Sequence, residues 1–169
     1  MAVLAAHTRP LAGCGKGVLG ALRTNSDSRK HWERRWVDHS REASWGPHEI
    51  LAHLGEMLPY WLGEMERILP AADGTSAFGR APTDDRRLAV IERERTLPLP
   101  ELVERVQADV ERWRRRWAEL DTSSRERAGN HVALGPLTVT DIATRFVVGH
   151  LEDHLDQLAA AVGGDPLHP

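Results

Sequence analysis

The sequence predicts an all-α fold, a four-helix bundle with long interhelical connections, and three observations carry that prediction. Apolar residues recur at three- and four-residue intervals over three long stretches. β-branched alternation is nearly absent, so no stretch reads as a strand. Polar connections broken by Gly and Pro separate the periodic stretches. With 169 residues, 41% of them hydrophobic, the chain is long enough for one domain with a sizeable core. That domain is taken as residues 1–169, with 1–14 a candidate disordered extension.

A first bundle helix is expected within residues 15–39. Val18–Leu22 and Lys30–Val37 both have helical content there, around the polar Asn25-Ser26-Asp27-Ser28. The next helix is sharply delimited. Ser44–Gly46 form a turn, Pro47 suits a first helical position, and Ile50, Leu54, Met57, Trp61, Met65 and Ile68 follow at helical spacing. Pro59 should bend it, because it removes one hydrogen bond and crowds the preceding turn. Pro70 ends it. Residues 71–97 are a long connection holding a short candidate helix over Asp84–Glu94.

A third helix starts near Pro98–Glu101 and carries the stripe Leu102, Val106, Val110, Trp113, Trp117, Leu120. Residues 121–137 are polar and interrupted by Gly129, Gly135 and Pro136. The last helix opens on Thr138-Val139-Thr140-Asp141, a capping pattern, and runs through Ile142, Phe146, Val147, Leu151, Leu155 and Leu158 to Gly163-Gly164.

A net charge of only -3 leaves no electrostatic case for nucleic acid. The densest basic run, Arg112–Arg116, lies beside Glu104, Asp109 and Glu111 and reads as a solvated helix face. Cys14 is the sole cysteine, so no intrachain disulfide forms and a reducing compartment is the default. Leu11-Ala12-Gly13-Cys14 looks like a lipoprotein cleavage box. The start, however, lacks positive charge, and His7, Thr8, Arg9 and Pro10 interrupt the apolar run that such a signal needs. No stretch approaches the roughly 20 apolar residues of a membrane span. The expected location is the cytoplasm.

Nine histidines concentrate the chemical interest. His150 and His154 are one helical turn apart and point into an apolar face formed by Val139, Ala143, Phe146, Val147 and Leu158. Two buried imidazoles need partners. Buried carboxylates or waters would satisfy them, and so would a metal. The stretch His48-Glu49-Ile50-Leu51-Ala52-His53 is one residue from the H-E-x-x-H zinc-protease motif. Its histidines are five apart, a rotation of about 140°, so one helix cannot aim both at the same ion. The zinc-protease reading fails on geometry, and periodicity alone does not choose which histidine turns inward. A di-iron carboxylate site would need Glu-x-x-His motifs, which the chain lacks. No nucleophile elbow supports Ser-His-Asp catalysis, and Gly13–Gly17 matches no phosphate-binding spacing.

Trp45 followed by Glu49-Ile50-Leu51-Ala52-His53-Leu54 resembles the second helix of the DinB-like (YfiT-like) superfamily. Gly135–Ile142, followed by His150-Leu151-Glu152-Asp153-His154-Leu155-Asp156-Gln157-Leu158, is similar to that family's last helix with its H-x-x-x-H-x-x-Q ending. The resemblance spans roughly residues 40–160 and implies a four-helix bundle holding one divalent metal, zinc or nickel, through His53, His150 and His154. It further implies a thiol-dependent S-transferase, or a related metal-dependent hydrolase, acting on a small electrophile with a low-molecular-weight thiol. The alternative is a non-catalytic metal-containing bundle that binds a small molecule or a protein partner. No catalytic residue beyond the metal set is assigned. Three neutral imidazoles leave coordination positions open, as catalytic zinc sites do. Gln157 would orient a ligand or line the pocket, Trp45 and Trp61 would wall it or pack the core, and His131 is not expected among the ligands. The stripe on the third helix would permit a homodimer.

Overall fold

A computed structural model describes residues 42, 44–72, 74–81 and 84–162. The helix expected within 15–39, together with Cys14 and its flanking residues, lies outside them. The described chain is mainly α-helical, with one small sheet.

Helix α1 spans Pro47–Ile68. Gly46 precedes it in an extended conformation, Pro47 supplies its first position, and the Glu49 carboxylate accepts from the Gly46 N–H at 3.2 Å. One orphan donor is thus satisfied by a side chain of the first turn. The helix runs unbroken past Pro59. Beside that proline, the buried Trp113 indole donates to the Leu58 carbonyl at 2.7 Å, tying the next long helix to α1. Helix α2, Asp85–Glu94, is capped by Asp84, which accepts from the Arg87 N–H at 2.9 Å. Helix α3, Leu99–Glu119, follows. Its Leu102, Trp113 and Trp117 are buried, and the stripe read from the sequence packs against α1. That face is therefore used inside the chain, and a pairing of two copies would need another surface. The Arg112–Arg116 run is solvated as expected: Arg112 pairs with Asp109, Arg114 with Glu111, and Arg116 with Glu66 and Glu119.

The all-α expectation needs one correction. The two long connections meet as strands: β1, Ala77–Phe78, pairs parallel with β2, Ala128–His131, which pairs antiparallel with β3, Gly135–Thr138. Between α3 and β2 lies a single turn, α4, Thr122–Arg125, capped by Asp121. The strands are two to four residues long and hold Gly, Pro, Asn and Ala, residues with little β preference, so alternation could not reveal them. Pairing across about fifty residues of sequence makes the sheet, and it pins both connections to the end of α1. Glu64, buried on α1, accepts from the Gly79 N–H at 2.6 Å and from Arg67 at 2.7 Å, which fixes the exit of β1.

The last helix begins as α5, Val139–Asp141, where Thr138 and Asp141 exchange hydrogen bonds at 3.0 Å in the capping box that the sequence suggested. It continues as a π-helical segment, π1, Ile142–Gly149, and finishes as α6, His150–Ala161. In the larger of two core clusters Ile50, Leu54, Met57, Leu58, Met65 and Ile68 of α1 meet Phe78, Trp113, Trp117, Ile142 and Val147, and in the smaller Leu51 and Ala52 meet Ile91 and Leu102. No helix among the described residues is long and apolar enough to cross a membrane.

Gly79 is the tightest point of this arrangement. Its φ of +86° lies in the left-handed region, and a Cβ there would stand 2.3 Å from Cδ2 of His131. That ring cannot yield, because Phe78, Trp61 and Phe146 pack around it. Gly79→Ala is expected to lower the unfolding free energy by about 1–3 kcal/mol through backbone strain and overpacking. Urea titration of the variant checks this; an unchanged midpoint would contradict the packing described.

Candidate metal centre

Three helical turns deliver three histidines to one place. His53 projects inward from the middle of α1, while His150 and His154 stand one turn apart at the start of α6. His53 Nε2 lies 2.7 Å from His150 Nε2, which lies 3.2 Å from His154 Nε2. The ring centroids are 4.7 to 5.0 Å apart, and all three pairs meet edge to face. His53 and His154 are buried and His150 is nearly so. His48, the other histidine of HEILAH, is exposed on the outside of α1. Glu49 does not touch His53; it turns to Gly46 and to Arg95, at 2.8 Å.

Burial disfavours the charged form of an imidazole, and neighbouring cations add to the effect. Burial, then the charges at His154 and Arg87, push His150 down to about 3. Burial holds His53 well below its ordinary value, with His150, Arg87, His154 and Arg80 acting in the same direction. His154 is also lowered by burial, against the opposing pull of its Gln157 hydrogen bond and of Glu42 and Asp153. The three rings are therefore neutral near pH 7, the state in which a histidine can ligate.

The outer partners of the rings define where their protons sit. Gln157 Nε2 donates to the Glu42 carbonyl at 2.6 Å, which orients the amide so that its Oε1 accepts from His154 Nδ1 at 2.9 Å. His154 thus carries its proton on Nδ1 and turns a bare Nε2 to the centre. Gln157, three residues after His154, thereby orients that ring. On the other side, Arg87 Nη2 stands 3.3 Å from His53 Nδ1 and also bonds the Glu42 carboxylate. A guanidinium only donates, so His53 Nδ1 accepts and its proton rests on Nε2, facing His150. Neither Arg87 nor Glu42 was visible as a site residue in the sequence. Arg87 sits in the charged run Asp84–Arg87, which reads as solvent-facing, yet it is buried.

Trp45 covers the histidines, its ring 5.3 Å from that of His53 and stacked on His154 at 6.4 Å. Trp61 does not reach them; it stacks on Phe146 at 4.2 Å within the core. His131, not expected among the ligands, is not part of the cluster. It is buried in β2 between Trp61, Phe78 and Phe146.

The donor set fits a metal ion. One nitrogen from each of His53, His150 and His154 falls within 4.8 Å of the others. The 3.2 Å between His150 Nε2 and His154 Nε2 is close to the about 3.4 Å that nitrogens held tetrahedrally at about 2.1 Å would keep, while the 2.7 Å between His53 and His150 is shorter. Among the described residues this is the one group of three such side chains that could hold an ion.

A family profile described as the DinB superfamily matches residues 16–158, most of the chain. No curated protein and no solved structure matches it.

The histidine shifts give the metal-free protein a definite pH response. Unfolded histidines take up protons below about 6.5, whereas the buried rings do not, and stability rises with pH wherever the unfolded state binds more protons. The metal-free protein should therefore lose stability progressively as pH falls from 6.5 towards the value near 3 at which His150 titrates. Urea midpoints measured across that window test this, and a flat profile would show that the rings are not buried neutral.

Proposed function

The chain belongs to the DinB superfamily, and from that premise we propose that it binds one divalent metal, zinc or nickel, through His53, His150 and His154. The observation that carries this reading is the convergence of three neutral imidazole nitrogens from α1 and α6 in the helical interior. Helices α1, α3 and the π1–α6 helix would be three members of a four-helix bundle, with the helix expected within 15–39 as the fourth.

On this reading the protein is a thiol-dependent S-transferase, or a related metal-dependent hydrolase, that acts on a small electrophile. A dication bound there would supply Lewis acidity, lowering the pKa of a thiol or water beside it and polarising an electrophile. The chain's own residues do the rest. Gln157 holds His154 in the tautomer that presents Nε2, Trp45 shields the histidines from water, and burial keeps the rings unprotonated. The reaction would take place in the cytoplasm.

Metal analysis tests the reading first. Purified or reconstituted protein should hold about one zinc or nickel ion per chain, and His150→Ala or His154→Ala should remove it. Protein that binds none at neutral pH after reconstitution would overturn the proposal. With metal bound, a thiol-conjugation assay over a panel of electrophiles separates enzyme from binder. Turnover that disappears in His53→Ala supports the transferase, and metal binding without turnover supports the non-catalytic bundle.

A further inference from the structure

The proton on His53 is in the wrong place for ligation. As the chain stands, Arg87 Nη2 donates towards Nδ1, so the single proton of His53 lies on Nε2, between it and His150 at 2.7 Å. A histidine that gives Nε2 to a metal must carry its proton on Nδ1, and that N–H needs an acceptor, most often a carboxylate, a carbonyl or water. Arg87 has only donors to offer and would meet the N–H head on.

The acceptor is at hand. Glu42 is 6% exposed, and its Oε1 bonds the same Arg87 Nη2 that reaches His53. Its Oε2 is buried and has no hydrogen-bond partner among the described residues. An orphaned carboxylate oxygen in such a place calls for an explanation. Glu42 is also joined to the second helix of the site: its carbonyl holds Gln157, which holds His154. One residue is thus linked, through Arg87 and through Gln157, to the outer side of two of the three histidines.

We propose that Glu42 is the positioning residue of the metal centre, and that its Oε2, unpartnered among the described residues, accepts the hydrogen bond of the His53 Nδ1–H in place of Arg87 whenever Nε2 is given to a metal. The inference rests on the metal reading above. The proton is neither gained nor lost: it leaves Nε2, an equivalent proton sits on Nδ1, and the imidazole stays neutral. Glu42 stays ionised, with Arg87 still on Oε1 as the counter-charge that makes a buried carboxylate tolerable.

Two variants break the same buried ion pair yet should act oppositely on the metal. Glu42→Gln weakens the acceptor, and zinc affinity should drop by about 10–100-fold, the usual effect of losing an outer partner of a metal-bound histidine. Arg87→Met frees the carboxylate and removes a cation from beside the ion, so zinc affinity should hold or rise. Both variants lose stability, so a role confined to the fold would lower zinc binding in both alike. Nitrogen-15 NMR of the histidine rings in the unaltered protein reads the tautomer without any substitution. His53 should be Nε2–H in the metal-free protein and Nδ1–H with zinc. Equal losses of affinity in the two variants, a Glu42→Gln affinity within about twofold of the parent, or an unchanged His53 tautomer in zinc-loaded protein would overturn the assignment alone. Failure to bind zinc at all would overturn it together with the metal reading.

Discussion

Three imidazoles buried against one another are the constraint on which the rest of this structure depends. Each is a polar group taken out of water, and an unsatisfied one costs about 1–3 kcal/mol. Neutral rings are the least costly form, which is why burial dominates the shift of all three. The neighbours follow from the same need. Gln157 satisfies the outer nitrogen of His154, and Arg87 meets that of His53. Arg87 in turn requires the Glu42 carboxylate, because a buried guanidinium is tolerable only when paired. An interior this demanding is hard to account for as packing alone. The three imidazoles stand close enough together to hold a dication.

The helices do not bring these residues together unaided. His53 sits on α1 and the other two on α6, nearly a hundred residues later, with two long connections between. The three-stranded sheet joins those connections to each other, and Glu64 fastens the sheet to α1. The capping box at Thr138 and Asp141 then starts the last helix directly from β3. Between that start and His150 the helix widens into π1, a feature found frequently at functional sites. Phe146, within the widened turn, stacks on Trp61 of α1 and steadies the approach to the histidines.

How much of this was legible in the sequence depended on whether the signal was local. Helix starts were legible because Pro47, Asp84 and Thr138 announce them within three residues of chain. The pairing of His150 with His154 was legible from one helical turn of spacing, and the same arithmetic separated His48 from His53. Which of that second pair turned inward was not decided by periodicity; the resemblance to a family pointed to His53, and the structure buries it. The sheet was not legible, because strands of two to four residues show at most two periods of alternation and β1 finds its partner about fifty residues away in sequence. Arg87 and Glu42 were invisible for a related reason. Charged residues in charged surroundings read as solvent-facing, and only the tertiary fold shows that they close the back of a histidine cluster. The burial of His131 was hidden for the same reason: a histidine between Asn130 and Val132 reads as loop, yet Trp61 and Phe146 make a slot for its ring.

The most direct measurement of the central claim is X-ray absorption at the metal edge of zinc-loaded protein. The structure predicts a first shell containing three imidazole nitrogens at about 2.0–2.1 Å, with the multiple-scattering signature of histidine, and a light atom from solvent completing it. A shell with one imidazole or none, or one dominated by sulfur or carboxylate oxygen, would place the metal elsewhere and contradict the account.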